Sequence, residues 1–281
     1  MRSGVVQEGE SIVIACSGGP DSVALAAALH AIAAPLRLRL SIAYVNHGLR
    51  RSAWQDECVV MRVAASCELP LDVIALHLES HDEATLREAR YAALVDVARK
   101  RRATAIATAH HAEDQSETVL LALFRGSGPE GLAGMRPRRT LDGDIEVIRP
   151  LLRIPSDDLR YYCHVSGLPY AVDPTNADAA LRRNAVRVAL ETLRPSFPGL
   201  DGAVARAAQL VGEERSGSSR AALRRRVREA LREGGQLADV DFEHVEEAVR
   251  AMERGRGGRF LMKAGVTLRI EPGVAPVIER A

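Results

Sequence analysis

The chain has 281 residues, enough for one large domain or for a medium domain followed by a small one. Hydrophobic residues make up 47% and charged residues 27%, ordinary values for a globular protein, and a net charge of +1 excludes a polycation. No apolar run approaches the roughly 20 residues that cross a bilayer, and residues 1–10 lack an apolar signal core, so we expect a soluble cytoplasmic protein.

The first half of the chain alternates short apolar runs, typical of strands, with longer amphipathic runs, typical of helices. The predicted strands are Ser11–Cys16, Leu38–Val45, Leu71–Leu78 and Thr104–Ala109. The predicted helices are Ser22–Ala33, Ser52–Cys67, Glu83–Arg102 and Ala112–Phe124. This alternation predicts an α/β fold with a doubly wound parallel sheet, in which ligands bind beyond the carboxyl ends of the strands.

After Arg149 the pattern changes to helices followed by a short alternating segment. One predicted helix begins near Ser156, and three more span Asp201–Glu214, Ser219–Arg232 and Asp241–Arg254. The alternating segment Phe260–Glu279 predicts a small sheet. We therefore expect a catalytic domain at 1–197, a connecting helix at 198–216 and a small α+β domain at 217–281.

A glycine-rich turn lies between the first strand and the first helix. It is formed by Ser17, Gly18, Gly19, Pro20, Asp21 and Ser22. The glycines allow a sharp turn that brings N–H groups close to phosphate, and the helix adds the positive end of its dipole. Asp21 either caps the helix or holds Mg²⁺ on the phosphates. No G-x-x-x-x-G-K-S/T element occurs, so the turn is not a Walker loop.

Two further polar segments follow predicted strands. Asn46 and His47 close the second strand, beside the first loop, and we expect them to contact a nucleotide rather than form an ordinary turn. His110, Asp114 and Glu117 follow the fourth strand at helical spacing, which predicts one shared face that could bind a metal, hold a cation or move protons. Acidic residues also suit a helix start, but that reading leaves His110 unexplained.

Three arginines complete the set of candidate residues. Arg183 and Arg187 share a helical face and could neutralise phosphates, although they could also be a basic helix start, which the dipole disfavours. Arg90 alone is typical of a solvated helix face.

These motifs carry a resemblance to known enzymes. Ser17–Ser22 resembles the S-G-G-x-D-S loop of the PP-loop ATP pyrophosphatase family, whose members cleave ATP between its α- and β-phosphates. Three other segments resemble the lysidine synthetase family within it. They are Val45–Arg50 (VNHGLR), Ala109–Thr118 (AHHAEDQSET) and Asp173–Asn176 with the following Arg183–Arg187 (DPTN, RNAVR). The resemblance covers residues 11 to about 190, and the chain as a whole resembles a short form of that family.

The resemblance implies a two-step reaction. ATP adenylates the C2 oxygen of the wobble cytidine in an isoleucine tRNA with a CAU anticodon, and free L-lysine then displaces AMP. It implies ATP and Mg²⁺ as cofactors, with Asp21 holding the metal and Asp114 and Glu117 holding and deprotonating the lysine ammonium. Arg183 would stabilise the adenylate, and Arg90 gains a catalytic role. We expect no membrane partner; a homodimer is allowed, but nothing in the sequence fixes the oligomeric state.

Two alternatives stay open. A tRNA cytidine thiolase of the same family would depend on C-x-x-C cysteines, whereas the cysteines here form no such pair and we expect them to be buried. A non-catalytic ATP-binding regulator would not need His110, Asp114 and Glu117 together.

A basic run marks the C-terminal part. Five arginines fall within nine residues: Arg220, Arg224, Arg225, Arg226 and Arg228. Leu223, Val227 and Leu231 predict the buried stripe, so we expect Arg224, Arg225 and Arg228 to point outward and bind tRNA together with Arg187. The alternative is a solvated helix face.

Overall fold

The computed structural model describes residues 4–46, 53–76, 83–171, 181–217, 219–233, 242–261, 266–271, 274 and 276–280. The chain divides into two units, Met1–Ala208 and Gln209–Ala281. The division falls inside the helix α8 (Leu200–Ser216), in the segment that we predicted to be a connecting helix.

One sheet organises the described part of the first unit. Its strands are β1 (Ser11–Ala15), β2 (Arg39–Asn46), β3 (Leu71–Ala75), β4 (Ala105–Ala107), β5 (Arg138–Asp142) and β6 (Ile145–Ile148). Their order is β3-β2-β1-β4-β6-β5, and neighbouring strands are parallel except for β5, which is antiparallel to β6. The parallel α/β sheet is therefore confirmed. Our strand predictions missed β5 and β6. The edge strand β5 is polar and largely exposed and gives no apolar run, and β6 (IEVI) is only four residues long and is interrupted by Glu146.

Helices cover both faces of this sheet. The described helices of this unit that precede α8 are α1 (Pro20–Ala31), α2 (Ala53–Ser66), α3 (Glu83–Arg101), α4 (Ala112–Phe124), the short α5 (Pro129–Leu132), α6 (Ser156–Val165) and α7 (Leu181–Leu193). Side chains on β1 alternate between the faces: Ile12 and Ile14 pack with residues of α1, α2 and α6, whereas Val13 packs with residues of α3. The doubly wound arrangement follows from this alternation.

The carboxyl ends of three neighbouring strands meet at one edge of the sheet. Ile14 pairs with Ala107 of β4, and Ala107 pairs with Ile148 of β6. The chain builds outward from β1 through β2 to β3 on one side and through β4 and β6 on the other, so β1 and β4 flank a topological switch point. The segments that follow β1, β4 and β6 therefore share the place where such sheets bind ligands.

The second unit is a small α+β module. Its described elements are α9 (Ser219–Glu233), α10 (Phe242–Glu253), β7 (Gly258–Leu261), β8 (Val266–Ile270) and β9 (Val277–Arg280). The strands form an antiparallel sheet in the order β7-β8-β9. Its core brings together Val227 and Leu231 of α9, Val249 of α10 and Leu268 of β8. The small C-terminal sheet predicted from the sequence is confirmed.

The prediction that Arg224 points outward is wrong. Its side chain is only 2% exposed, and it forms ion pairs with Glu213 and Glu246. Arg224 precedes Val227 by three residues and therefore lies on the same helical face as the buried stripe, where the two carboxylates neutralise it. Arg225 and Arg228 are exposed.

Two further expectations concern the burial of the cysteines and the absence of membrane-spanning helices. Cys16, Cys67 and Cys163 are buried, but Cys58 is exposed on α2, so the expectation of burial is wrong there. No helix in the described part of the chain is long and apolar enough to cross a membrane.

Candidate nucleotide site

The turn after β1 is held in shape by its own side chains and by α2. Gly18 has a φ of +87°, and a Cβ atom at this position would lie 3.0 Å from the carbonyl oxygen of Asp56. Ser22 Oγ accepts a hydrogen bond from the Ser17 amide at 3.1 Å and donates one to the Gly19 carbonyl at 2.9 Å. Ser22 is buried, so its hydroxyl stabilises the turn from inside.

The first turn of α1 presents backbone donors. Gly19 is the N-cap and supplies no side-chain cap, and Pro20 occupies the first helical position. The first intrahelical hydrogen bond runs from Val23 N to Gly19 O at 3.0 Å. The amides of Asp21 and Ser22 precede the first amide that donates within the helix, that of Val23, and together with the helix dipole they suit an anion.

Asp21 carries a buried carboxyl oxygen without a hydrogen-bond partner in the described structure, Oδ1. Its Oδ2 atom lies 3.7 Å from Nε2 of His111. Burial raises the pKa of Asp21, as do the charges of Asp114 and Glu113, while His111 and Arg160 act against the shift. An orphaned buried oxygen is costly, and a cation on a bound phosphate would satisfy it.

His111 is the residue that the sequence reading passed over. Its Nδ1 atom lies 2.8 Å from Glu113 Oε2, and its Nε2 atom lies 3.4 Å from Asp114 Oδ2. Burial lowers the pKa of His111, but the hydrogen bond to Glu113 and the charges of Asp114 and Asp21 outweigh it and raise the pKa to about 8. The loop therefore faces an imidazolium at neutral pH.

Glu113 fixes this imidazolium to α6. Its carboxylate accepts hydrogen bonds from the Ser156 amide at 3.0 Å and from the Ser156 hydroxyl at 3.1 Å, at the start of the helix. Burial raises the pKa of Glu113, but the bonds from His111 and Ser156 lower it to about 2. Glu113 was missed because an acidic first turn has an ordinary explanation in the helix dipole, and His111 was missed because helical spacing favoured His110.

His110 does not share a helical face with Asp114 and Glu117, so that prediction is wrong. Helix α4 begins at Ala112 with His111 as an extended N-cap, because the Asp114 carboxylate accepts the His111 amide at 3.1 Å and sets the first turn there. His110 Nδ1 lies instead 2.9 Å from Thr108 Oγ1. Its pKa is lowered to about 3 by burial and by neighbouring arginine charges. These are Arg149, Arg87, Arg90 and Arg183.

Glu117 lies between two arginines of α7. Its Oε2 atom accepts a hydrogen bond from Nε of Arg183 and its Oε1 atom one from Nε of Arg187, both at 2.8 Å. The Glu117 side chain is 3% exposed, whereas those of Arg183 and Arg187 are 25% and 33% exposed. The structure thus brings together two motifs of the sequence, one containing Glu117 and the other containing Arg183 and Arg187.

The remaining candidates are placed as follows. Asn46 ends β2 and is half-buried, and its carbonyl accepts the Leu76 amide at 2.7 Å. Arg90 lies on α3, with its guanidinium 5.7 Å from the centre of the Tyr91 ring. His47 and Asp173–Asn176 lie outside the described residues.

Residues 3–193 match the ATP-binding family described as a PP-loop domain. A tRNA(Ile)-lysidine synthase of Salinispora tropica is 41% identical over 206 residues, which cover 71% of this chain and 62% of the relative. One of Methylobacterium nodulans is 37% identical over 236 residues, covering 82% of this chain and 68% of the relative. The chain belongs to the tRNA(Ile)-lysidine synthase family of PP-loop proteins.

The lysidine synthase relatives extend beyond the part that matches this chain. The chain spans about three fifths of the length of the Salinispora tropica protein. A solved structure of the U34-tRNA thiolase NcsA from Methanococcus maripaludis, with its 4Fe–4S cluster, superposes with a TM-score of 0.64 at 17% identity, covering 75% of each chain. At that identity the likeness shows the fold alone.

The site geometry fits a nucleotide with Mg²⁺ better than a protein-only metal site. No three His, Cys, Asp or Glu side chains of the described residues come together to hold a metal ion. Mg²⁺ in nucleotide sites commonly takes one or two carboxylates and completes its shell with phosphate oxygens and water. The orphaned Oδ1 of Asp21, beside the amide donors of α1, suits that arrangement.

Proposed function

We propose that this protein joins lysine to C2 of the wobble cytidine of an isoleucine tRNA with a CAU anticodon. ATP would first adenylate the C2 oxygen with release of pyrophosphate, and the ε-amine of free L-lysine would then displace AMP to give lysidine. The buried, unpartnered Oδ1 of Asp21 at the head of α1 carries the proposal, because it is suited to a nucleotide-bound cation. The names of the family relatives support the choice of substrates.

The loop and α1 would bind the phosphates. The amides of Asp21 and Ser22 and the glycine backbone are suited to the negative charge that accumulates on leaving pyrophosphate. Asp21 would hold Mg²⁺, which would neutralise phosphate charge when bound. The imidazolium of His111, 3.7 Å from Asp21, adds a further positive group beside the phosphates.

The lysine amine needs an acceptor as well as a binding partner. Its ammonium has a pKa near 10.4 and must lose a proton before it attacks. Asp114 is 21% exposed and faces the loop through His111, so it would hold the ammonium and receive the proton. His110 stays neutral at physiological pH because its pKa is about 3, so it would serve as a hydrogen-bond partner rather than as a cation.

Arginines would take the nucleic-acid side of the reaction. Arg183 would stabilise the adenylate and Arg187 would neutralise tRNA phosphate. Arg90 would act in the same region, since its charge and that of Arg183 both lower the pKa of His110. Asn46 and His47 would contact the nucleotide. The cytidine would leave the anticodon stack to reach the site, as single-stranded bases readily do.

The decisive assay is tRNA-dependent incorporation of labelled lysine. With ATP and tRNA alone, pyrophosphate should form only to the extent of one adenylation per tRNA, and AMP should be released when lysine is added. Label should enter tRNA with the CAU isoleucine anticodon and not a methionine tRNA with the same anticodon. Lysine-independent turnover, or sulfur incorporation in place of lysine, would overturn the proposal.

A further inference from the structure

Arg149 is a buried arginine at the ligand-binding edge of the sheet. It directly follows β6, and it is 4% exposed. Its Nη1 atom donates a hydrogen bond to the carbonyl of Arg136 at 2.8 Å, whereas its Nε atom is buried without a hydrogen-bond partner in the described structure. Within the described ranges, no carboxylate forms an ion pair with Arg149. A buried charge without a carboxylate is costly, so Arg149 is suited to an anionic ligand.

Tyr91 of α3 supplies a second unpartnered group beside Arg149. It is 8% exposed and packs in one core cluster with Ile106 of β4 and Val147 of β6. Since side chains alternate between the faces of a strand, Arg149 is directed to the same face as Val147, two residues before it. The Oη atom of Tyr91 is also buried without a hydrogen-bond partner among the described residues. An oxyanion placed between the two side chains would accept hydrogen bonds from both.

The surroundings of Arg149 favour negative charge. Burial lowers the pKa of His110 to about 3, and the charges of Arg149, Arg87 and Arg90 act in the same direction. The guanidinium of Arg87 lies 5.4 Å from the centre of the Tyr91 ring. His110 is therefore neutral and adds no charge of its own, while the arginines attract an anion to this end of β4.

The position and the burial of Arg149 select the ligand. The phosphates of ATP would meet the loop Ser17–Ser22, which leads into α1 on the opposite face of the sheet from α3. A tRNA phosphate has bulky neighbours on both sides and needs an exposed cation, whereas Arg149 is almost covered. A small free molecule can place one carboxylate in such a concave site. Among the substrates of the proposed reaction, L-lysine has that form, and its α-carboxylate still lacks a binding partner.

We propose that Arg149 and Tyr91 bind the α-carboxylate of L-lysine, while Asp114 holds the ammonium at the other end of the molecule. The inference rests on the proposed lysine transfer and deepens it, because it gives the site a means of selecting a free amino acid. The guanidinium fork matches the two carboxylate oxygens, and the phenol donates to one of them.

L-lysinamide tests the carboxylate directly, because it keeps the ε-amine and replaces the carboxylate with a neutral amide. The unchanged protein should prefer lysine to lysinamide at least about tenfold in kcat/KM, as expected for a charge-assisted pair. Arg149→Met keeps an unbranched side chain and removes the guanidinium, so it should bring this ratio close to one by raising the KM for lysine. Adenylation without lysine, measured as pyrophosphate release, should stay within about twofold.

Two further variants separate binding from folding. Tyr91→Phe removes only the unpartnered hydroxyl and should lower the same ratio about threefold. Arg139→Gln is the matched control, because Arg139 is an exposed arginine of β5 that acts on Arg149 through its charge. It should leave the ratio and adenylation unchanged. A purely structural defect would lower the use of both amines equally and keep the ratio.

An unchanged preference for lysine in folded Arg149→Met and Tyr91→Phe would overturn the inference. Loss of adenylation with the preference intact would also overturn it, because Arg149 would then serve a phosphate. If Arg149→Met does not fold, Tyr91→Phe decides by the same ratio.

Calorimetric binding of lysine and lysinamide, with a non-hydrolysable ATP analogue and no tRNA, separates this inference from the proposed function. If the unchanged protein prefers lysine through Arg149 but incorporates none into tRNA, the proposed reaction fails and the carboxylate site stands. If lysine is incorporated and the variants keep the preference, only the carboxylate site fails. If neither molecule binds and none is incorporated, both fail.

Discussion

The Oδ1 atom of Asp21 is buried without a hydrogen-bond partner in the described structure, which makes this residue costly to the fold and suited to a ligand. Asp21→Asn should lower pyrophosphate release at least about a hundredfold, the scale of losing one electrostatic group at a reacting phosphate. The midpoint of thermal unfolding should change little, because the buried Oδ1 atom has no hydrogen bond to lose in the described structure and Oδ2 loses only its 3.7 Å contact with His111. Asp157→Asn is the control, since its side chain is 91% exposed. Near-normal pyrophosphate release in folded Asp21→Asn would refute the role of Asp21.

Gly18 is constrained by a positive φ and by a close contact with Asp56, whereas Gly143 shares only the positive φ. Gly18 has a φ of +87° and Asp56 O at 3.0 Å from a built Cβ, whereas Gly143 has a φ of +53° and nothing within 4 Å. Gly18→Ala should destabilise the first unit by about 1–3 kcal/mol and weaken ATP binding, while Gly143→Ala should cost only the backbone term, about 1 kcal/mol. Urea unfolding and ATP Kd measure both. Equal losses of stability would show that contact with Asp56 is unimportant.

At the scale of elements, helices α9 and α10 depend on a buried ion pair. Burial raises the pKa of Glu246, but hydrogen bonds from Arg224 and Arg220 outweigh it, so the folded pKa lies below the ordinary value of 4.5. A depressed folded pKa means that the stabilisation is present above the unfolded pKa and is lost as pH falls through the folded one.

Glu246→Gln should therefore destabilise the second unit at pH 7, by about 3–5 kcal/mol for a buried pair with one partner removed. Hydrogen exchange in α9 and α10 reports this unit separately. Protection in the unchanged protein should hold from pH 7 down to about 4.5 and fall at lower pH, and the variant should show less of that dependence. Glu243→Gln, 73% exposed on the same helix, should change neither result. An acid response that survives in Glu246→Gln would assign it to another group.

The boundaries of the elements show what the sequence could predict. Apolar runs located β1 to β4 within a few residues, and for the buried strands β1 and β4 this follows because a buried parallel strand is apolar on both faces. The polar edge strand β5 has no such pattern. At α4, spacing alone put His110 on the helix, but the capping bond between His111 and Asp114 starts the helix later. Side-chain capping and pairs between distant residues, such as Glu117 with Arg183, leave no periodic signal.

At the scale of the whole molecule, the functional assignments of the two units rest on different observations. The PP-loop match ends at residue 193, so the assignment of tRNA binding to the second unit rests on its own charges. Arg224 cannot bind tRNA from its buried position, and a substitution there would report folding. The docking hypothesis therefore reduces to Arg225 and Arg228, which are exposed on α9.

Replacing Arg225 and Arg228 with Gln should raise the tRNA Kd and flatten its log–log salt dependence by about 1–2, because each arginine released counterions from roughly one phosphate. Folding should be unaffected, since the pair between Arg225 and Glu214 is exposed and contributes under about 1 kcal/mol. ATP affinity should stay constant because the PP-loop residues belong to the first unit. Discrimination between tRNAs should change less than affinity, since phosphate contacts carry little base information.

Arg250→Gln and Arg259→Gln are the control, because they remove exposed charges from α10 and β7 and so separate a local contact from an effect of net charge. The same slope change in that control would reduce α9 to one part of a diffuse positive surface, and an unchanged slope in the folded α9 variant would mean that its arginines are only a solvated helix face.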